Sequence, residues 1–137
     1  LSNIAPQIGK GFNRDIWNDI EKKTRRLLRG SKGNAKELHI VTGTLFLPNQ
    51  KTKEVRYPVI GEGNVAVPTH FFKVVLVIKN EGEPEVFSFL VPHKKYQPNE
   101  PLEQFFVSVE KVESLSGLIF FKGLEGKINK KQTRKFL

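Results

Sequence analysis

The sequence predicts an α+β fold in which one long helix near the N-terminus packs against a largely antiparallel sheet. Apolar residues recur at helical spacing between residues 13 and 29, whereas the later apolar runs are short and separated by Gly or Pro. The 137 residues include 38% hydrophobic and 27% charged side chains, which fits one globular domain or a large part of one.

The predicted helix runs from about residue 13 to residue 29. Its apolar positions are Ile16, Ile20, Leu27 and Leu28. Asn13 is a preferred residue at a helix N-cap, acidic side chains lie in the first turns, arginines lie in the last turn, and Gly30 follows. Each of these features favours a single helix over this range.

Beyond the helix, the apolar pattern changes to that of strands. We expect strands over residues 38–42, 54–60, 71–79 and 86–91, and the turn-rich segment 81–84 predicts a hairpin between the last two. Because residues 71–79 are apolar nearly throughout, they predict a central strand covered on both faces. A loop over 92–101, a short helix over 109–115 ending near Gly117, and a return of 118–121 to the core complete the prediction.

Positive charge is concentrated at the two ends of the chain. Residues 1–36 carry nine Lys/Arg against three Asp/Glu, and residues 127–137 carry five against none, whereas residues 37–126 carry nine against eleven. This distribution suits a mildly acidic body whose basic face contacts phosphate, although a solvated helix and a frayed tail would give the same charge runs. We predict part of one domain over residues 1–126 and a basic tail over 127–137, whose order the sequence leaves open.

Composition also excludes several kinds of site. Without cysteine, the chain can form neither a disulfide nor a cysteine-ligated zinc site. The longest aliphatic run, residues 74–78, is far shorter than the roughly 20 apolar residues of a membrane-spanning helix. Because the chain has no methionine, we expect it to begin inside a longer protein, so that any targeting segment lies upstream.

Four residues of the predicted helix, Asn13, Trp17, Glu21 and Arg25, are spaced four apart. Successive steps of four drift by about 40°, so these side chains form one slanting stripe along the helix. Their amide oxygen, carboxylate and guanidinium could hold a hard cation and a phosphodiester. The same residues could equally be a helix cap, a core aromatic and an ordinary ion pair, and spacing alone does not separate these interpretations.

A longer pattern surrounds this stripe. An Asn-x-x-Pro-Gln motif is followed by Asn, Trp, Glu and Arg at four-residue spacing, and the matching residues are Asn3, Pro6, Gln7, Asn13, Trp17, Glu21 and Arg25. In this stretch, LSNIAPQIGKGFNRDIWNDIEKKTRRL, the sequence resembles the signature of the DNA/RNA non-specific endonucleases, the ββα-metal nucleases. Segments 40–48, 59–76 and 115–121 extend the resemblance in the same order. It implies a ββα-metal fold whose first hairpin is missing from this chain.

The resemblance implies a role for each matching residue. Asn13 would be the only direct protein ligand of Mg²⁺ or Mn²⁺, Glu21 would orient water beside the cation, and Arg25 would hold a phosphate. Trp17 and Asn3 would support the site, with Pro6 and Gln7 shaping the approach to Asn13. The expected contacts to the nucleic acid backbone are Lys10, Arg14 and Arg26.

The resemblance further implies DNA and RNA as substrates, 5′-phosphate products, mitochondrial location and a homodimer. One motif is absent, because the family's general base is the His of an Asp-Arg-Gly-His sequence that this chain lacks. Its three histidines, at positions 39, 70 and 93, follow the helix and are not expected to act as the base. The leading hypothesis is an endonuclease whose catalytic His lies upstream or on a companion chain; the alternative is an inactive nuclease-fold subunit that binds nucleic acid or has a structural role in a mitochondrial assembly.

Overall fold

The computed structural model of the chain describes residues 4–28 and 35–133. Several predicted positions therefore lie outside the described residues. They are Asn3, expected to support the site, Arg29 and Gly30 at the expected end of the helix, and the last four residues, 134–137, of the predicted basic tail.

The helical segment begins earlier than predicted and has two parts. Gly9–Trp17 is a kinked, wide-turned segment in which the Asn13 N–H donates to the Ile8 carbonyl at 2.9 Å, and the regular helix α1 follows over Asn18–Arg26. The prediction that Asn13 caps the helix is wrong, because its side chain accepts no bond from the first turn. The helix start shifts because a wide turn pairs the Asn13 N–H with the carbonyl of a residue five positions earlier.

The predicted antiparallel sheet is confirmed. Strands β1 (Ala35–Leu45), β4 (His70–Lys79), β5 (Glu85–Pro92) and β6 (Phe106–Val107) lie in the order β1-β4-β5-β6, and every neighbouring pair is antiparallel. As expected, β4 is central and forms a hairpin with β5.

Two strand predictions need correction. The first predicted strand extends well beyond residues 38–42, because β1 stays in register with β4 over most of its length. The strand predicted over 54–60 is wrong for most of its length: only β2 (Val59–Ile60) is paired, in a separate ladder with β3 (Val65–Ala66). The side chains of 54–60 are exposed, so no burial stabilises a longer strand there.

The two faces of β4 bury different layers. Phe71, Val75 and Val77 pack against Trp17 and Ile20 of the helical segment. On the other face, the cluster consists of Leu45, Phe72, Val74, Leu76, Val86, Val109, Val112 and Phe120. The alternation of side chains along a strand produces this division. The stripe-bearing helix therefore packs against the sheet, as the sequence predicted.

The short helix predicted over 109–115 is confirmed as α2 (Val109–Ser116). Ser108 caps it by accepting a bond from the Lys111 N–H, and Gly117 ends it with φ of 73°, a left-handed conformation that glycine adopts readily. The expected return of 118–121 to the core is only partly right: Phe120 is buried, whereas Leu118 and Ile119 are exposed.

The first residues of the predicted basic tail contact this layer. Lys130 Nζ lies 2.9 Å from a Glu113 oxygen and 2.6 Å from a Glu125 oxygen, and its carbonyl accepts from the Glu110 N–H at 3.0 Å. Burial lowers the pKa of Lys130, but its bonds to the two carboxylates outweigh this effect and leave the pKa raised. The boundary at residue 126 stays a prediction.

Within residues 4–28 and 35–133, none of the helices combines the length and the apolar character needed to cross a membrane.

Candidate active site

The loop that leads into the helical segment is fixed by the segment that follows β5. His93 Nε2 accepts from the Ile8 N–H at 2.8 Å, and the Tyr96 N–H donates to the Gly11 carbonyl at 2.9 Å. The Asp15 carboxylate accepts from the Gly11 N–H at 2.6 Å. These bonds hold both ends of the turn that precedes Asn13.

Gly11 is required at this turn for two reasons. Its φ is 89°, a conformation that side-chain-bearing residues rarely adopt, and a Cβ there would lie 3.2 Å from Lys95 Cα. The glycine thus allows the helical segment and the segment after β5 to approach closely.

Asn13 is exposed, and its side chain makes no capping bond to the start of the helical segment. Its Nδ2 donates to Gln7 Oε1 at 2.5 Å, a contact that matches the structural role expected of Gln7. The Gln7 contact uses the amide nitrogen, and among the residues that the structure describes no donor bonds the Asn13 Oδ1. The amide oxygen is thereby left available to a cation or to water.

Trp17, Glu21 and Arg25 follow along the helix as the spacing predicted. Trp17 is 4% exposed and its ring stacks on Phe12 with a centroid separation of 5.9 Å, so it forms part of the core. The Arg25 guanidinium lies 3.9 Å from a Glu21 oxygen, and both side chains remain partly exposed. At this distance the pair is too long for a strong hydrogen bond, which leaves Glu21 able to accept bonds from water and Arg25 able to donate to water or phosphate.

The three residues expected to contact nucleic acid lie along a surface groove between the helical segment and the loop over residues 95–103. The groove consists of three adjoining pockets, of which Lys10, Arg14 and Arg26 each line one. Asn13, Glu21 and Arg25 do not line these three pockets. The groove is of mixed charge, because Asp19 and Glu103 also line it. Since neighbouring helix positions differ by about 100°, Arg26 points to a different side of α1 from Arg25.

Each of the three histidines already has a polar neighbour: His39 Nε2 lies 3.7 Å from a Glu37 oxygen, and His70 Nδ1 lies 2.8 Å from Thr69 Oγ1. His93 Nδ1 bonds the Pro68 carbonyl at 2.9 Å, so both of its ring nitrogens have partners. His39 and His70 pair with Leu76 and Leu45, which belong to the α2 side of the sheet. Burial lowers the pKa of His70. The two ring nitrogens of His93 are therefore occupied, and His39 and His70 lie on the sheet face opposite the helical segment.

Lys73 is a residue near the site that sequence analysis did not select. It lies in β4 on the face that carries Phe71 and Val75, and it is only 5% exposed. Burial lowers its pKa, the Glu21 carboxylate raises it and Arg25 lowers it. The signal in the sequence was a lysine inside the apolar run FFKVVLVI, with apolar residues on both sides of it.

The donor set of the site fits a cation that keeps most of its water. No cluster of three or more His, Cys, Asp or Glu side chains able to hold a metal occurs among the residues that the structure describes. A single exposed amide oxygen, with a carboxylate farther along the helix, instead suits Mg²⁺ or a similar ion, which is commonly bound through few protein oxygens.

A family model described as "DNA/RNA non-specific endonuclease" matches residues 1–127. The chain belongs to this family. A chain in a crystal structure of the EndoG/EndoGI complex has a TM-score of 0.83 and 36% identity, with coverage of 97% of this chain and 56% of that chain. The structure therefore has the ββα-metal nuclease fold implied by the sequence resemblance.

Relatives with similar sequences are named as nucleases. The chain is 41% identical over 130 residues to mitochondrial endonuclease G of Caenorhabditis elegans, covering 93% of this chain and 41% of the relative. It is 40% identical to mitochondrial endonuclease G of Homo sapiens, over 88% of this chain and 40% of the relative. For mitochondrial nuclease 1 of Schizosaccharomyces pombe, the identity is 45%, over 96% of this chain and 42% of the relative. This chain thus spans about two fifths of the length of these relatives.

Proposed function

We propose that the protein containing this chain is a divalent-metal-dependent endonuclease that hydrolyses phosphodiester bonds in DNA and RNA and leaves 5′-phosphate ends. The observation that carries the proposal is the orientation of Asn13, whose Nδ2 is bound to Gln7 so that its exposed Oδ1 is free for a cation. Membership in the endonuclease family and the names of the relatives support the same activity.

Asn13 would hold Mg²⁺ or Mn²⁺ through its amide oxygen, with Glu21 accepting hydrogen bonds from surrounding water. When bound, the cation would polarise the scissile phosphate and stabilise the departing 3′ oxygen. Arg25, whose side chain is 56% exposed, can approach a phosphate and present two parallel N–H donors to it. Its charge would offset the negative charge that develops on the phosphate oxygens.

Contacts to phosphate carry no sequence or sugar information, which suits a substrate range of both DNA and RNA. We assign this backbone binding to Lys10, Arg14 and Arg26 along the mixed-charge groove. The groove's acidic residues limit its positive potential, so we expect these contacts to be weak individually and to weaken further with salt.

The general base is assigned to an imidazole outside this chain. His93 has both nitrogens bonded, while His39 and His70 lie on the α2 side of the sheet. A segment upstream or a companion chain would supply the base, and an assembly without one would bind nucleic acid without cutting it. By similarity to relatives named mitochondrial, we place the protein in mitochondria, and by the family resemblance we propose a homodimer.

Plasmid nicking by the full-length protein with Mg²⁺ tests the proposal. We expect cleavage by the wild type and a loss of at least about 100-fold in Asn13→Ala, since the cation would lose its protein ligand. Asn80→Ala removes a similarly exposed amide just after the far end of β4 and should cleave normally. Equal cleavage by the wild type and Asn13→Ala would contradict the role of Asn13, and binding without cleavage by the wild type would favour the inactive subunit.

A further inference from the structure

Lys73 is a buried cation on an otherwise apolar surface. Its neighbours on the helix-facing side of β4, Phe71 and Val75, are core residues, and Lys73 itself is 5% exposed. Taking an ammonium group out of water costs free energy unless partners replace the solvent. A methionine would fill similar space without that cost, so a lysine at this position calls for an explanation through its charge.

Two groups hold the ammonium in one place. Lys73 Nζ donates to Thr42 Oγ1 at 3.2 Å, across the β1–β4 ladder, and lies 4.9 Å from the centroid of the Trp17 ring. An ammonium has three donors, and Thr42 is its one hydrogen-bond acceptor among the described residues. Packing on an aromatic face compensates for part of the lost hydration.

This position places the charge beneath the stripe of site residues. Trp17 comes one helical turn before Glu21 and two turns before Arg25. The Lys73 ammonium is attracted by the Glu21 carboxylate and repelled by the Arg25 guanidinium. It therefore interacts with both members of the Glu21–Arg25 pair, whose charged groups are 3.9 Å apart. Glu21 therefore interacts with two positive charges, that of Arg25 on the helix and that of Lys73 on the sheet.

We propose that Lys73 is a positioning residue of the nuclease site: its ammonium, fixed between Thr42 and the Trp17 ring, holds the helix stripe on the sheet and keeps the Glu21 carboxylate oriented as an acceptor. This inference rests on the proposed function of the site. Without the charge, the attraction of Arg25, whose guanidinium lies 3.9 Å from Glu21, would no longer be opposed by Lys73, and the carboxylate would turn toward Arg25.

The first test is the kinetics of full-length Lys73→Met, which keeps the apolar stem and removes the charge. We expect kcat to fall about tenfold with KM changed less than about threefold, because substrate binding does not use Lys73. Lys73→Arg should recover part of the loss. Thr42→Val, at an exposed edge position, removes the hydroxyl that accepts from Lys73 and should lower kcat as Lys73→Met does. Lys79→Met is the matched control: it removes another lysine of β4, whose partner Glu85 lies 2.7 Å away, and should leave kcat unchanged.

A second test does not depend on cleavage or on the folding of Lys73→Met. Nitrogen NMR of the Lys73 ammonium should show that Glu21→Gln lowers the Lys73 pKa and that Arg25→Gln raises it.

A folded Lys73→Met protein with normal kcat would overturn the proposal, and so would a loss of kcat in Lys79→Met equal to that in Lys73→Met. An unchanged Lys73 pKa in Glu21→Gln would overturn it as well. If the wild type does not cleave nucleic acid, the proposed function is refuted instead. The Lys73 pKa values measured by NMR in Glu21→Gln and Arg25→Gln would still test whether Lys73 interacts with these two residues.

Discussion

The backbone N–H of Ile8 donates to Nε2 of His93 at 2.8 Å, although the two residues are 85 positions apart in the chain. His93 Nδ1 is at the same time bonded to the Pro68 carbonyl at 2.9 Å, which sets the donor nitrogen as Nδ1 and leaves Nε2 as the acceptor. The neutral imidazole thus links the loop before Asn13 to the sheet. Its ring also packs edge-on against Phe12 and Phe71.

Replacing the His93 imidazole should loosen the loop before Asn13 more when the hydrogen-bond acceptor is lost than when another acceptor replaces it. His93→Phe keeps a ring but leaves the Ile8 N–H without its acceptor, which should cost about 1–3 kcal/mol and speed exchange of the Ile8 amide hydrogen. His93→Gln keeps an acceptor oxygen and should protect that amide better. Amide exchange by NMR and urea unfolding measure both effects. Unchanged protection in His93→Phe would show that the bond does not hold the loop.

Gly11→Ala should impair the site through the backbone. Its φ of 89° costs an alanine about 1–2 kcal/mol, and the new Cβ would press on Lys95. Gly82→Ala is the matched control, because its φ is 92° and a Cβ added there would have no atom within 4 Å. We expect urea unfolding to show a larger loss in Gly11→Ala, and plasmid nicking to fall in that variant alone. Equal losses in the two would show that the contact with Lys95 is unimportant.

Tyr96 should titrate at an unusually high pH. Burial, with a smaller contribution from Glu100, raises the pKa of its phenol to about 12, and its hydroxyl donates to the Pro92 carbonyl at 2.8 Å. Because the folded state holds the proton more tightly than the unfolded chain, this contribution to stability is complete below about pH 10. It is then lost as the pH rises toward 12.

The chain's two tyrosines make this measurable. In Tyr57→Phe, phenolate absorbance reports Tyr96 alone, and its midpoint should lie near 12. Tyr96→Phe should lose less stability than the wild type over the same alkaline range. A Tyr96 midpoint near that of free tyrosine would mean that the phenol is more hydrated than its bond to Pro92 suggests.

The sequence predicted those parts of the fold that local periodicity determines. The apolar run of β4, the hairpin with β5 and the Gly117-ended helix α2 all follow from residues close together in the chain. The start of the helix was misplaced because the wide turn at Asn13 depends on Gly11 and on distant partners, His93 and Tyr96. Exposed apolar residues such as Val59 likewise suggested a longer strand than the pairing supports.

In the candidate site, too, local spacing predicted some features, whereas others depend on contacts that spacing does not reveal. Helical spacing predicted that Glu21 and Arg25 would be neighbours, and the 3.9 Å separation agrees. Spacing could not distinguish a capping Asn13 from one whose oxygen faces outward, since the contact with Gln7 forms across a turn. Lys73 approaches the helix only through the pairing of β4 with β1 and the packing of Trp17, neither of which is a local feature of the sequence.

Binding of Mn²⁺ to the full-length protein tests most directly whether Asn13 holds a cation. The paramagnetic ion broadens NMR signals near its site, so titration should first broaden the Asn13 side-chain amide and the adjacent backbone amides. In Asn13→Ala this local broadening should disappear at the same Mn²⁺ concentration, while Asn80→Ala should behave as the wild type. Broadening that is centred elsewhere, or that persists unchanged in Asn13→Ala, would contradict the assignment of Asn13 as the metal ligand.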